Sequence, residues 1–326
     1  MKAKIFAGMI LVLFAAGCVN FGGTQQASVD TTNIITLTPA SISVIPKPPL
    51  DVNTKFTVTF EIKNQEKSKT IGADVNLFDW GVCKGVSLTC SKTQDETEKK
   101  SCHFDLVPQQ TELVEIESKT PTKEEIAGIA ASCPFQWRAS YKFSTVSNAG
   151  FNAVSRGHLT ELQRAGKEVD VPATTSNVGT GPVKPYITFK TDQNYVTASS
   201  PIQMVVQIKD QGDGSFSKVE AGSLSIKVPK EWVRALNGVG IETACTDKFT
   251  LVNSESIDIE DSYPAIYRND FKEIPLINRQ TPEIVCNFQA PDLDGKNIPQ
   301  KSYVVVAELS DYSYSIDGKQ SVEIKP

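Results

Sequence analysis

The stretch Cys133-Pro-Phe-Gln-Trp-Arg-Ala-Ser-Tyr-Lys-Phe143 decides the fold of this chain. Its apolar residues occupy every second position, which is the pattern of a β-strand with one buried face. Cys133 falls on the apolar side of this pattern, so we expect its thiol to lie inside the protein. The stretch therefore predicts a long, half-buried strand rather than a helix.

The same alternation recurs along the chain. In the first half it is clearest at residues 56–62 and 102–106, and in the second half at residues 202–208 and 284–288. Residues 303–309 form a nearly continuous apolar run, which is typical of a strand that is covered on both faces. Strands at short, turn-punctuated intervals with little helix between them predict a mainly β protein built from antiparallel β-sandwiches.

Three local motifs interrupt the strands. Thr122-Lys-Glu-Glu125 is a capping box followed by Ile126-Ala-Gly-Ile-Ala-Ala, which predicts one short helix in the first half of the chain. Residues 230–236 fit one or two helical turns. Asp317-Gly318 follows the alternating residues 312–316 and predicts a two-residue hairpin turn.

The N-terminus has the layout of an export signal. Two lysines precede an apolar run that ends in Ala15-Ala-Gly-Cys18, and small residues directly before a cysteine resemble the lipobox of lipoproteins. This resemblance implies that residues 1–17 are removed and that Cys18 carries a lipid. The alternative is an ordinary signal peptide that leaves Cys18 as a free thiol. The apolar run covers only residues 5–16, whereas a membrane-spanning helix needs about 20 residues.

Composition shifts divide the rest of the chain. Residues 18–32 are small and polar, which predicts a flexible tether. Residues 167–185 are rich in Thr, Ser, Gly and Pro, and such a composition is typical of a linker. We therefore expect one domain at residues 33–166 and a second at residues 186–326.

The seven cysteines predict disulfide bonds. Lipidation of Cys18 would leave four cysteines in the first expected domain and two in the second. Disulfides persist in the compartments that exported proteins reach, while a zinc site would require more closely spaced pairs. Four cysteines allow three pairings. We favour the following set of bonds: Cys83–Cys90, Cys102–Cys133 and Cys245–Cys286.

Residues 50–65, followed by Ala73-Asp-Val-Asn-Leu-Phe-Asp, resemble the immunoglobulin-like modules of prokaryotic surface proteins, including the cell-adhesion-related type. The resemblance implies two antiparallel immunoglobulin-like β-sandwich domains in tandem, with the one short helix in the first. It also implies a prokaryotic surface lipoprotein and an extracellular setting. It carries no functional residues with it.

Few residues suggest catalysis or metal binding. His103 and His158 are the only histidines, and no G-x-S-x-G elbow accompanies them, so we interpret both as surface residues. Asp258-Ile-Glu-Asp261 has carboxylates that could flank a sugar, and we interpret this segment as a solvated loop. Asp292 and Asp294 are candidate calcium ligands, with an ordinary turn as the alternative. We expect no catalytic residue and no cofactor.

Four tyrosines are candidate binding residues because they lie in a long polar loop or share one strand face, with sheet packing as the alternative for the last two: Tyr263, Tyr267, Tyr312 and Tyr314. The formal net charge of −5 and the lack of a basic run after the signal argue against nucleic-acid binding.

We expect an extracytoplasmic protein, anchored to the outer face of a cell membrane by membrane lipid at Cys18. Its expected role is non-catalytic, in binding, adhesion or envelope structure, with another surface protein or a glycan as partner. The alternatives are an accessory subunit of a membrane-bound complex and a hydrolase of surface polysaccharide or peptide.

Overall fold

A computed structural model describes residues 32–90, 100–127, 129, 131–171, 176–191, 193–236, 244–246, 249–252 and 264–325, with the side chains of residues 39–42 excepted. These residues belong to one compact unit. Its helices are α1 Arg156–Arg164 and α2 Lys230–Arg234. Its strands are β1 Ile35–Ile45, β2 Lys55–Asn64, β3 Ile71–Asp79, β4 Lys84–Cys90, β5 Ser101–Leu106, β6 Thr111–Lys119, β7 Ala131–Val154, β8 Ser176–Asn177, β9 Val183–Phe189, β10 Tyr195–Thr197, β11 Pro201–Asp210, β12 Lys218–Val219, β13 Leu224–Val228, β14 Thr250–Leu251, β15 Ala265–Arg268, β16 Ile274–Pro275, β17 Ile284–Gln289 and β18 Gln300–Ile324.

The two longest strands, β7 and β18, are neighbours in the centre of the largest sheet among the described residues. They comprise 24 and 25 residues and pair antiparallel from Gln300 opposite Val154 to Ile324 opposite Ala131. The register shifts once, between Leu309 and Tyr312. Cys133, Trp137 and the other inward-facing residues of the opening stretch are buried, as their alternation predicts.

The first lobe is a sandwich of two sheets. One sheet has the order β1-β2-β6-β4, and the other contains β5, β3, the first half of β7 and the second half of β18. Phe56 on β2 meets Phe135 on β7 with ring centroids 5.7 Å apart, so the side chains of the two sheets interdigitate.

The second lobe uses the other halves of the same two strands. Here β18 also pairs with β13, and the sheet continues through β15 to β14. A sheet of order β17-β11-β9 covers it, and the rings of Phe151 and Phe189 stack across the interface with centroids 4.2 Å apart. Apart from β10, which runs parallel to β7, the strand pairs in the described parts of the chain are antiparallel. None of the described helices is long and apolar enough to cross a membrane.

The predicted mainly β, antiparallel architecture is confirmed, whereas a division into two tandem immunoglobulin-like domains is not confirmed. Residues 312–324 were expected in the second domain, and they instead complete the first lobe by pairing with residues 131–143. The expected linker, residues 167–185, includes β8 and the start of β9. One sheet therefore runs through both lobes, because β7 and β18 are each long enough to serve two sandwiches.

The predicted two-residue hairpin turn at Asp317-Gly318 is wrong. Both residues lie inside β18, opposite Arg138 and Trp137. A Cβ atom at position 318 would collide with the indole ring of Trp137. The glycine is therefore required by the close approach of a large ring to the backbone, and no turn occurs there.

The short helix predicted after Thr122 is replaced by turns at residues 123–127. The Glu125 carboxylate does accept the Thr122 backbone N–H, at 2.9 Å, as a capping box requires. Ala127 then adopts a φ of +50°, and this left-handed conformation ends the turn before a helix develops. A helix forms instead at α1, where Ser155 caps the N–H of His158 at 3.1 Å, and the predicted turns at residues 230–236 correspond to α2.

The structure corrects two of the predicted disulfides. Cys83 pairs with Cys133 and Cys90 pairs with Cys102, at Cα–Cα distances of 5.7 and 6.1 Å. Cys83 directly precedes the extended strand β4 and Cys90 is its last residue. The strand separates them by roughly 20 Å at ~3.3 Å per residue, which is too far for a bond. Both observed bonds join the two sheets of the first lobe. Cys245 and Cys286 form the third bond, as expected.

The two corrected disulfides should differ in their contribution to stability. They close loops of 50 and 12 residues, for which chain entropy predicts about 4 and about 3 kcal/mol. We expect the Cys83→Ala/Cys133→Ala variant to lose about 1 kcal/mol more unfolding free energy than the Cys90→Ala/Cys102→Ala variant. Urea unfolding of both variants measures this difference. The reverse order would contradict the pairing.

Candidate functional site

A groove lies in the first lobe between the edge of β1 and the second half of β18. Its volume is about 460 Å³, within the range of small-ligand sites, and apolar surface dominates its lining. The residues that line it are Asn33, Ile35, Thr36, Leu37, Thr38, Phe60, Trp137, Asp213, Ile316, Asp317, Gly318 and Lys319.

Two stacked aromatic rings form the floor of the groove. Phe60 on β2 and Trp137 on β7 lie with ring centroids 4.3 Å apart and planes inclined by 11°. Both residues are fully buried. Their alternating strands point them inward from opposite sheets, so the stack joins the two layers.

The indole Nε1 of Trp137 has no hydrogen-bond partner in the described part of the chain. Indole Nε1–H can only donate a hydrogen bond, and a buried indole N–H usually finds an acceptor. Position 318 has no side chain, so the indole ring lies directly against the β18 backbone. The floor of the groove therefore contains a buried donor without an acceptor among the described residues.

The second half of β18 is a sheet edge with only part of its backbone covered. The N–H of Ser215 donates to the Ser315 carbonyl at 2.8 Å, and the N–H of Leu50 donates to the Glu323 carbonyl at 2.8 Å. Residues 315 and 323 therefore direct their backbone groups away from β7, and antiparallel alternation gives Asp317 and Lys319 the same direction. Among the described residues, no backbone group pairs with these two on that side.

The opposite wall is the edge strand β1. The Ile34 carbonyl accepts the N–H of Gln65 at 2.7 Å, so residue 34 faces the neighbouring strand β2. By the same alternation, Leu37 turns its backbone groups toward the groove. The side chain of Leu37 is half-buried and lines the groove.

Polar pairs mark the rim. Asn33 donates to Asp213 at 2.8 Å and accepts the Asp213 backbone N–H at 3.1 Å. Arg138 binds Asp317 through two hydrogen bonds of 2.7 and 3.0 Å. This pairing lowers the pKa of Asp317 below its ordinary value and raises the pKa of Arg138.

Buried hydrogen bonds around Asp210 hold the loop that forms one end of the groove. The Asp210 carboxylate is 2% exposed, lies 3.0 Å from the Arg279 guanidinium and accepts the Tyr314 hydroxyl at 3.1 Å. The Tyr314 oxygen in turn accepts the N–H of Gly214 at 2.8 Å. The hydrogen bond that Arg279 donates to Asp210 raises the pKa of Arg279, and burial raises the pKa of Tyr314. The network fixes the loop that carries Asp213 to the rim and Ser215 to the β18 edge.

The tyrosines proposed as binding residues do not form a surface. Tyr267, Tyr312 and Tyr314 are buried in the core, so the binding prediction is wrong for them. Sheet packing explains them instead, because each lies on the inward face of its strand, and the Tyr312 hydroxyl lies 3.0 Å from Thr145 Oγ1. Tyr263 lies outside the described residues.

The candidate calcium ligands have local structural roles. The two carboxylate oxygens of Asp294 accept the N–H groups of Arg156 and Gly157, at 3.0 and 2.9 Å, at the start of α1. These bonds lower the pKa of Asp294. Asp292 accepts the N–H of Gly295 at 3.1 Å within a turn. In the described ranges, no group of three or more His, Cys, Asp or Glu side chains is arranged to hold a metal ion.

The two histidines lie apart from the groove lining. His103 is exposed on the outer face of β5, 2.7 Å from Asp74 and 3.5 Å from Asp105. Hydrogen bonding to Asp74 raises the pKa of His103 above 6.5. His158 lies on α1, 3.9 Å from Glu161. Cys18 and the acidic segment 258–261 lie outside the described residues.

Sequence reasoning did not find the groove. Its walls come from residues 33–38 and 316–319, which lie at opposite ends of the chain, and alternation cannot show that two distant strands become neighbouring edges. Gly318 was the available signal, since a glycine inside an alternating run also marks a close approach to the backbone.

No protein-family model matches the chain, and no curated protein matches it. Among solved structures, the chain has 9% sequence identity and a TM-score of 0.18 to a biofilm-associated protein B domain, over 87% of this chain and 72% of that one. It has 8% identity and a TM-score of 0.16 to Escherichia coli alpha-2-macroglobulin activated by porcine elastase, over 90% of this chain and 32% of that one. Scores this low define neither a common fold nor a function.

Proposed function

We propose that this protein is an exported, lipid-anchored surface protein with a non-catalytic binding role, and that the groove is its binding site. The observation that carries the proposal is the unpartnered indole N–H of Trp137 at the floor of an apolar groove. A buried donor without an acceptor costs roughly 1–3 kcal/mol. A ligand that supplies the acceptor recovers part of that cost, so the groove favours binding.

The disulfides support an oxidising compartment. Three bonds join the six cysteines that follow Cys18, and bonds of this kind are rare in the cytosol. The lipobox-like sequence before Cys18 supports attachment to a membrane surface. Residues 18–32 would then separate the lipid from the folded body.

The groove chemistry supports binding rather than hydrolysis. The two acidic groups at its rim already have partners, because Asp213 pairs with Asn33 and Asp317 pairs with Arg138. A hydrolase would need a free acid, base or nucleophile where the substrate lies. Paired carboxylates at a rim suit orientation of a ligand instead.

Anchoring can be tested on the protein from its native membrane. We expect intact-mass analysis to show loss of residues 1–17 and added acyl mass on Cys18, and we expect Cys18→Ser to release the protein into the medium. A mature protein with a free Cys18 thiol would refute the anchor and leave export by an ordinary signal peptide.

Binding through the groove can be tested in cells that produce the protein. Leu37→Glu places a carboxylate in the apolar lining. Leu37 packs partly buried against the core, so near-ultraviolet circular dichroism checks that the variant folds. Val304→Glu is the matched control, because Val304 is 59% exposed on β18 in the other lobe. We expect surface cross-linking to yield a product with wild type and Val304→Glu, and to lose it with Leu37→Glu. A product that persists in Leu37→Glu would show that the groove is not the site.

A further inference from the structure

We infer that the ligand is an extended peptide segment of another protein, which adds as a strand to the open edge of β18. This inference rests on the proposed function, since it names the ligand class of the same groove. Strand addition supplies affinity through main-chain hydrogen bonds, and side-chain pockets supply specificity.

The open part of the edge has defined ends. Ser215 covers the backbone of Ser315 and Leu50 covers that of Glu323. Between them, residues 317, 319 and 321 direct their backbone groups outward, over about five residues or roughly 17 Å of strand. The Ser321 carbonyl accepts the side-chain amide of Gln320 at 2.9 Å, so Ser321 offers its N–H. The loop fixed by Asp210 and the segment at Leu50 therefore leave a gap that fits a short extended segment.

The groove lies beside this gap and would receive the side chains on one face of the added strand. Alternate side chains of the added segment would point between the two sheets, toward Leu37 and Ile316 at the apolar lining. An amide or hydroxyl side chain at one inward position would accept the N–H of Trp137. We therefore expect a segment with alternating apolar residues and one inward-facing acceptor.

A glycan fits the groove less well. It would need the exposed face of an aromatic ring, whereas Phe60 and Trp137 stack their faces on each other in the core.

A proline scan of the edge tests this inference. Lys319→Pro removes an N–H that points away from β7 and that the fold does not use, a position where edge strands tolerate proline. Lys319→Ala keeps that N–H, and Asp105→Pro places proline at the far edge of the same sheet, on β5. Ser321→Pro provides a second edge variant in case Lys319→Pro does not fold. Near-ultraviolet circular dichroism checks the fold of each variant.

The probe is a phage-displayed random peptide library selected against the wild-type protein. We expect enriched peptides with alternating apolar residues. We expect the Kd of a selected peptide to rise at least about tenfold in folded Lys319→Pro or Ser321→Pro, and to stay within about twofold in Lys319→Ala and Asp105→Pro. Only the prolines on β18 remove a main-chain donor from the groove edge and block the approach of the peptide there.

Three results would overturn the inference. The library could enrich no peptide, the selected peptides could bind both edge prolines as tightly as wild type, or a glycan could bind the groove in place of a peptide. If Leu37→Glu abolishes cross-linking on cells while Lys319→Pro leaves it intact, the proposed function stands and strand addition is wrong. If Leu37→Glu has no effect, the proposed function itself fails.

Discussion

Deletion of residues 312–326 is expected to unfold the first lobe. The deletion removes the half-strand of β18 that pairs with residues 131–143 of β7. It also removes five buried side chains, Tyr312, Tyr314, Ile316, Val322 and Ile324. At about 1.5–3 kcal/mol for each buried side chain, the loss is roughly 8–15 kcal/mol, which equals the whole stability of a typical domain.

Near-ultraviolet circular dichroism and limited proteolysis would measure this effect, and a chain that lacks only Lys325 and Pro326 is the control. We expect the control to keep the native spectrum and the deletion to lose it. If residues 33–166 instead persist as a protease-resistant, disulfide-bonded fragment with native signals, the first lobe is an independent domain and the shared sheet is wrong.

Asp210→Ala is expected to lower the free energy of unfolding by about 3 kcal/mol, near the cost of breaking a buried pair. The substitution leaves the Tyr314 hydroxyl without its acceptor and removes the carboxylate partner of Arg279, which keeps its bonds to the carbonyls of Gly212 and Gly214. Arg279 is about half exposed, so water compensates part of its lost pairing and keeps the effect at the low end of that range.

Asp213→Ala is the matched control for Asp210→Ala, because Asp213 is exposed in the same loop and bonds only at the rim. We expect it to cost about 1 kcal/mol or less. Urea unfolding of both variants gives the comparison. Equal effects at the two positions would mean that the buried network does not hold the loop.

Alternation in the sequence predicted the strands and their buried faces well. It placed Cys133 and Trp137 inward. The interpretation of residues 303–309 as a strand covered on both faces is wrong, because Val304 is 59% exposed, although residues 306–309 do lie between β13 and β7. The inward placements succeed because a strand with one buried face must repeat its apolar residues with a period of two.

The partners of those strands could not be predicted in the same way. Asp317-Gly318 has the composition of a turn, and only the position of Trp137 opposite shows why the strand continues through it. Cys83 and Cys90 are close in sequence, yet the extended strand between them keeps them apart. Both errors arise because local pattern determines conformation while long-range pairing determines which residues meet.

The candidate site depends entirely on such long-range pairing. Leu37 and Lys319 share a groove only because β1 is the edge of one sheet and β18 is the edge of the facing one. Neither residue has a local motif that indicates binding. Aromatic residues are frequent at interfaces, and this favoured the tyrosines as binding residues. The inward strand faces of Tyr267, Tyr312 and Tyr314 instead direct these side chains into the core.

Strand addition can be measured by amide hydrogen exchange of β18 in the presence of a selected peptide. We expect bound peptide to slow exchange at the outward-pointing N–H groups of Asp317, Lys319 and Ser321, while exchange at Asp105 on the far edge stays unchanged. A peptide that binds without protecting these three N–H groups would contradict the claim that the groove receives an added strand.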